Sequence, residues 1–398
     1  MRAVETLTGW EQMLEERLGE LERRQLLRTL YPVERPVDPV VRRGGRSLVN
    51  LSSNNYLGLA GHPALEEAMR AATSRGAGAT ASRLVVGTDS AHAELEEKMA
   101  AFTGAGAALV FGSGYLANVG ILSAVVDRED AVFCDRLNHA SIWDGVRLAR
   151  AELYRYRHGD ADHLAEMLKR AERRGVRRKL IVTETVFSMD GDVAPLEAIV
   201  ELKERFGAAL IVDEAHAGGV FGPHGEGYAH EAGVADLVDL RVGTFGKAFG
   251  VYGAYAAGSE TWIRYLVNTC RSFVYTTALP PAVIGGIDAA LDLVRAAGDL
   301  RQTLRERSER FRSGLQTLGF DVRGSTTQIV PAVVGSSDRA LDLGRALEEQ
   351  GVLAIPIRPP TVPNGTARIR FSLTSQHANG DIDHALSAIE AVLTAGAQ

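Results

Sequence analysis

A chain of 398 residues with 45% hydrophobic side chains can bury a large core, and at roughly 100–200 residues per domain it divides into two or three domains. Its 44 basic and 50 acidic residues leave a net charge of −6, which excludes a general electrostatic attraction to nucleic acid or anionic membrane. Cys134 and Cys270 form neither a metal-ligand nor a disulfide spacing, and residues 1–30 lack the apolar run of a secretory signal or membrane span, so a cytoplasmic protein is expected.

Trp10, Leu14, Leu18 and Leu21 recur at steps of three or four, the spacing of one face of an amphipathic helix, and that face is expected to pack against something. Pro32, Pro36 and Pro39 interrupt regular structure, so residues 31–45 read as an extended connector, and residues 1–45 as an N-terminal helix and linker. From 46 to 285 helical stretches alternate with short apolar runs at 107–111, 131–134, 180–183, 208–212 and 239–242. That alternation predicts a large α/β domain whose mostly parallel sheet is covered on both faces. Ligands of such sheets sit beyond the carboxyl ends of the strands, where His139, Ser188, Asp213, His216 and Lys247 fall. Residues 286–398 predict a smaller C-terminal α/β domain, with helices over 301–318, 339–350 and 381–393 and strands near 329–334, 352–357 and 368–373. Arg358 and Arg370 in that region are expected to contribute to a site between the domains.

Lys247 lies in Gly243-Thr244-Phe245-Gly246-Lys247-Ala248-Phe249-Gly250, after an apolar run ending in Asp213-Glu214-Ala215-His216. The tetrapeptide is that of one helicase class and Gly246-Lys247 resembles the end of a P-loop, yet the required first glycine is Arg241 and the required Ser or Thr is Ala248. Gly112-Ser113-Gly114 likewise lacks the third glycine of a dinucleotide fingerprint, position 117 being Ala. A metal reading of His158, Asp160, Asp162 and His163 yields to a turn and first helical turn in which Asp caps, so no metal is expected.

An aldehyde cofactor with a phosphate and a pyridine ring accounts for more of these residues. It needs an amine for an imine, an anion against the ring nitrogen, a face to stack on and phosphate donors. Lys247 offers the amine. Asp213 ends a buried run, where a carboxylate is costly unless paired, and a protonated pyridine nitrogen would pair it; the alternatives are a helix cap or the partner of a buried arginine. Gly112-Ser113-Gly114-Tyr115 opens a helical pattern after a strand, so free N–H groups face the crevice, and Thr244 adds a hydroxyl.

Gly243 to Gly250, Asp213 to His216, Val186-Phe187-Ser188-Met189-Asp190-Gly191-Asp192, Asn138-His139-Ala140-Ser141 and Ser53-Asn54-Asn55-Tyr56-Leu57-Gly58 resemble the α-oxoamine synthases, pyridoxal-phosphate enzymes of the fold-type I aminotransferase superfamily. The similarity runs from about residue 46 to the C-terminus. It implies a homodimer with a shared active site in which Lys247 holds pyridoxal 5′-phosphate, Asp213 pairs the ring nitrogen and His139 stacks on the ring. By the same resemblance His216 and Ser188 reach the phenolic oxygen, and Gly114, Tyr115 and Thr244 bind phosphate, joined by Thr276 or Thr277 of the partner subunit. Arg370 would grip the amino-acid carboxylate, with Asn54 close to the substrate.

The run from Ile357 to Arg370 is similar to the members that condense L-alanine with a pimeloyl thioester, carried by coenzyme A or an acyl carrier protein, toward biotin. The alternative is a member that uses glycine or serine. Without the resemblance His139 reads as a helix-start histidine and Arg370 as a strand-surface arginine. Arg23, Arg24, Arg28, Arg42 and Arg43 suit either the phosphates or acidic surface of an acyl carrier, or a solvated face.

Overall fold

The computed structural model describes residues 8–396. Thirteen strands lie among them: β1 Val40–Arg43, β2 Arg46–Asn50, β3 Ala107–Phe111, β4 Ala131–Asp135, β5 Glu152–Tyr156, β6 Lys179–Glu184, β7 Ala209–Asp213, β8 Leu240–Thr244, β9 Ala254–Gly258, β10 Ile329–Gly335, β11 Val352–Leu353, β12 Pro356–Ile357 and β13 Ala367–Ser372. Seven of them form one sheet in the order β3-β9-β8-β7-β6-β4-β5, parallel except that β9 runs antiparallel to both its neighbours.

Neighbouring side chains in β4 enter different cores. Val132 and Cys134 pack with Ile142 and Val146 on one face, while Ala131 and Phe133 pack with Leu164, Leu168 and Ile199 on the other. Burial on both faces is why these strands read as unbroken apolar runs. The chain moves outward from β4 to β5 and in the opposite direction from β6 to β9, so the order switches between β4 and β6. A crevice opens at such a point, beyond the carboxyl ends of the strands. Here it lies between the residues that follow β4 and those that end β6 and β7.

Two strands of this seven-stranded sheet escaped the sequence reading. β5 is a half-buried edge carrying Glu152 and Arg155, and β9, Ala254-Tyr255-Ala256-Ala257-Gly258, is built mainly of residues depleted in strands.

Two three-stranded sheets complete the described residues, β10-β13-β12, which is antiparallel, and β1-β2-β11. The single strand expected over 352–357 is therefore two strands in two sheets. β11 pairs with β2 in parallel, β12 with β13, and the change of partner falls where Ser52 Oγ accepts the Ile355 N–H at 2.9 Å. The expected connector over 31–45 includes β1.

The N-terminal helix, Gly9–Arg23, starts with a capping box between Thr8 and Glu11. Its apolar face departs from expectation: Trp10 is 77% exposed and Leu14, Leu18 and Leu21 are exposed as well, so the described residues of this chain do not cover it. A stripe of this kind in water marks an unfilled contact.

Candidate active site

β7 delivers Asp213 to the crevice, where it is 6% exposed. Its Oδ2 accepts from Asn118 Nδ2 at 2.7 Å and its Oδ1 from the Ala215 N–H at 2.9 Å. Both donors are neutral, and among the described residues no arginine, lysine or histidine forms an ion pair with it. A buried carboxylate without a cation demands one. The alternative of a buried-arginine partner is thereby removed.

Lys247 follows β8 in a loop that Gly250 closes at a φ of +72°, pressed so close to Leu59 and Ala60 that a side chain there would strike their backbone. Lys247 Nζ lies 2.8 Å from His216 Nε2, and His216 Nδ1 lies 2.6 Å from the Tyr56 hydroxyl. That hydroxyl donates to Asn54 Oδ1 at 3.0 Å. One orientation satisfies the chain: the lysine donates to Nε2, and Nδ1–H donates to Tyr56. Burial, with Lys247 and Arg370 nearby, keeps His216 neutral by holding it well below its usual value. Burial also pushes the Lys247 ammonium down to about 8, against the pull of the Asp213 and Glu184 carboxylates.

Arg370 on β13 is 7% exposed and has only neutral acceptors: the Ser188 carbonyl, Asn54 Oδ1 at 3.1 Å, Ser372 Oγ at 2.6 Å and the Tyr56 hydroxyl at 3.4 Å. Arg368, two residues earlier on the same face, is 1% exposed and paired with Asp190. One strand thus presents a neutralised guanidinium and an anion-seeking one. Breaking the neutralised pair by Arg368→Met leaves the buried Asp190 with only Arg323 at 3.5 Å and is expected to cost about 3 kcal/mol in chemical unfolding.

A cleft of about 200 Å³ gathers Lys247, Asp213, His216, His139, Gly114, Tyr115 and Thr244, together with Asn118, Ser141 and Glu184. The helix Gly114–Val125 begins there. Ser113 Oγ accepts the Leu116 N–H at 3.3 Å, which leaves the first-turn N–H groups of Gly114 and Tyr115 for an anion at the positive end of the helix dipole. A Cβ at Gly114 would lie 3.8 Å from that of Thr244, so the threonine faces this helix start.

His139 caps the helix Ala140–Ala149, as the plain reading of its position predicts, and its Nδ1 lies 2.8 Å from Ser141 Oγ. Ser141 Oγ in turn accepts from Asn118 Nδ2 at 3.0 Å. The cap therefore also fixes the ring through Ser141 and Asn118 to Asp213. Desolvation holds His139 below its ordinary value, Asp213 opposing and Lys247 assisting.

Other expected residues are placed differently. Ser188 meets the site through its backbone, and Asn54 and Arg370 join it through Tyr56 and His216. Arg358 lies elsewhere: it donates to the carbonyls of Gln25 and, at 3.3 Å, Leu27, and it lines a groove against the N-terminal segment. Thr276 and Thr277 lie beside Gly112, outside the cleft of their own chain. Asp160 caps the helix Ala161–Arg173, whereas His158 bridges Asp135 at 3.0 Å and Asp192 at 2.8 Å.

Sequence reading passed over Asn118, Ser141, Tyr56 and Glu184. Tyr56 and Ser141 stood inside quoted motifs. Glu184 had a signal of its own, since it ends β6 directly opposite Asp213 at the end of β7.

The donor set fits pyridoxal phosphate: an unpaired buried carboxylate, an amine of lowered pKa, and free N–H groups at a helix start. Residues 46–389 match the family Aminotransferase class I and II. A Bacillus cereus (strain Q1) protein provisionally named 8-amino-7-oxononanoate synthase is 49% identical over 96% of each chain. Among solved structures, Sphingomonas wittichii serine palmitoyltransferase superposes with a TM-score of 0.89 at 32% identity, covering 98% of this chain and 99% of that one. The 8-amino-7-oxononanoate synthase of Francisella tularensis gives 0.77 at 27% identity, covering 88% and 99%. The geometry and these likenesses agree, and the chain belongs to the α-oxoamine synthases, pyridoxal-phosphate-dependent acyltransferases of the fold-type I aminotransferase class.

Proposed function

We propose that this enzyme condenses L-alanine with a pimeloyl thioester to give 8-amino-7-oxononanoate, carbon dioxide and the free thiol, a step toward biotin. The observation that carries an amino-acid substrate is Arg370, a buried guanidinium without a carboxylate, joined through Tyr56 and His216 to Lys247. The choice of alanine and a pimeloyl chain is supported by the name of the 49%-identical relative and by the run from Ile357 to Arg370. Coenzyme A and an acyl carrier protein both suit the thioester.

Pyridoxal phosphate, when bound, supplies an aldehyde for the imine and a ring that accepts the electron pair left at Cα. Lys247 would hold it and, once freed, remove the Cα proton; an amine pushed down to about 8 is a base near operating pH. Asp213 would hold a proton at the ring nitrogen. His139 would cover the ring face, and His216 and Ser188 would reach the phenolic oxygen. Gly114, Tyr115 and Thr244 would bind the phosphate, with the partner subunit's Thr276 or Thr277. Arg370, with Asn54, would fix the carboxylate so that first the C–H bond and then the C–CO2 bond align with the ring orbitals.

The partner is a second copy of the chain. Its assignment is supported by the uncovered face of Trp10, Leu14, Leu18 and Leu21 and by the exposed Leu84, Val85 and Val86. A cytoplasmic location goes with a biosynthetic role and with the absence, among the described residues, of a helix long and apolar enough to cross a membrane.

The runner-up is condensation of serine or glycine, which the 32%-identical serine palmitoyltransferase favours. Incubation with alanine, glycine or serine and a panel of acyl thioesters, with products identified by mass, decides between them. The expected product is 8-amino-7-oxononanoate. Preference for glycine with an acetyl thioester, or for serine with a long acyl chain, would overturn the assignment.

A further inference from the structure

Glu184 has no role in the scheme above, yet it is the second carboxylate of the cleft. It ends β6 beside Asp213, is 3% exposed and forms part of the cleft wall. Its Oε2 accepts the Ser188 N–H at 3.2 Å and the His139 backbone N–H is also directed at the carboxylate, whereas Oε1 is buried without a partner of full hydrogen-bond geometry. An orphaned acceptor of this kind costs stability, and strain of that sort collects at functional sites. A hydrogen-bond donor carried by a ligand would satisfy it.

The geometry of Ser188 says which donor. Its N–H is held by Glu184 and its carbonyl by Arg370 Nε. A carboxylate and a carboxylate-seeking guanidinium are thus anchored on the two sides of one residue. The complementary ligand is an α-amino acid, with its ammonium and carboxylate on one carbon.

We propose that Glu184 Oε1 receives the ammonium of the incoming amino acid and removes one of its protons. The N–H bond breaks, an O–H bond forms at Oε1, the nitrogen keeps the electron pair, and the proton later returns to solvent. This rests on the amino-acid-condensing function proposed above. The groups around Glu184 are Asp213 from β7, Lys247 after β8, His139 at its helix start and His216 after β7. Burial first, and then Asp213, push its carboxyl up to about 8, with Lys247 opposing, so it titrates where a base is useful.

The test is Glu184→Gln, which keeps the shape and removes the titration. In the cofactor-loaded enzyme, kcat/KM for L-alanine is expected to fall at least about 100-fold at pH 7. Wild type should level off near pH 8, whereas the variant should keep rising above it, because free amine in solution replaces the missing base. The spectral change on adding L-alanine should follow the same pH dependence. In the cofactor-free protein the same substitution reads out stability. A carboxyl raised in the folded state penalises folding above its ordinary pKa of 4.5 and fully above about 8, so the variant should melt higher than wild type at pH 8 and equally at pH 4.

A deficit that stays constant with pH, or no deficit, overturns the proposal. Should the Gln variant fail to fold, Glu184→Asp replaces it: a lower rate with the wild-type plateau supports the role, and a profile that keeps rising overturns it. Absence of a visible imine absorbance from the loaded wild type would instead sink the cofactor reading on which the proposal rests.

Discussion

Lys247→Ala is expected to abolish the visible absorbance that wild type acquires with pyridoxal phosphate and to lower kcat at least about 1,000-fold, roughly 4 kcal/mol of barrier. Two functions end with one side chain: the covalent hold on the aldehyde and the base that takes the Cα proton. The neighbours set the size of the effect. His216 is kept neutral and already bonded to Tyr56, so it is a poor substitute base. His139 is turned onto Ser141 by its cap. Small primary amines added to the variant should restore part of the rate, because they fill the space of the missing ammonium and carry a free lone pair. Retention of the imine absorbance, or of more than about a tenth of the rate, would remove Lys247 from its place.

The lysine also predicts a pH dependence of the cofactor-free protein. An ammonium pushed down to about 8 in the folded state is buried at a cost that is fully present below pH 8 and is relieved as pH rises toward 10.5. Lys247→Met should therefore stabilise the cofactor-free protein at pH 7, and the gain should shrink through that window in thermal melts.

The second large effect is expected of Asp213→Asn. The amide preserves the volume and leaves the lysine free to form its imine, so the visible absorbance should persist while kcat falls about 100- to 1,000-fold. The loss follows from charge. Asp213 has only Asn118 and the Ala215 N–H as partners, and without its negative charge a protonated ring nitrogen is no longer favoured. Asn118→Ala should do less, since it removes one donor and leaves the carboxylate. A variant that keeps near-normal turnover would show that the ring nitrogen needs no anion here.

Much of this was legible in the chain itself. Apolar runs at 107–111, 131–134, 180–183, 208–212 and 239–242 are strands of one sheet, because a parallel strand covered on both faces must be apolar throughout. Lys247, Asp213, His139 and His216 follow or end those strands and meet in one cleft, since strand ends are where such sheets leave backbone and side chains uncovered. Local sequence also sets the helix caps at Asp160 and Ser113.

What lay beyond the sequence depends on contacts between distant segments. β9 is nearly featureless and becomes a strand because β3 and β8 flank it. Residues 352–357 divide between two sheets because Ser52, some 300 positions away, takes a backbone bond at the break. Arg368 and Arg370 are indistinguishable by type and spacing, and only Asp190 beside the first leaves the second free to bind an anion. Glu184 is the sharpest case: its pKa, its orphaned oxygen and its tie through Ser188 to Arg370 all arise from neighbours that folding brings together. Sequence alone determined which residue types stand at the strand ends; tertiary structure decided which of their charges were already satisfied, because neutralisation depends on the nearest groups in space.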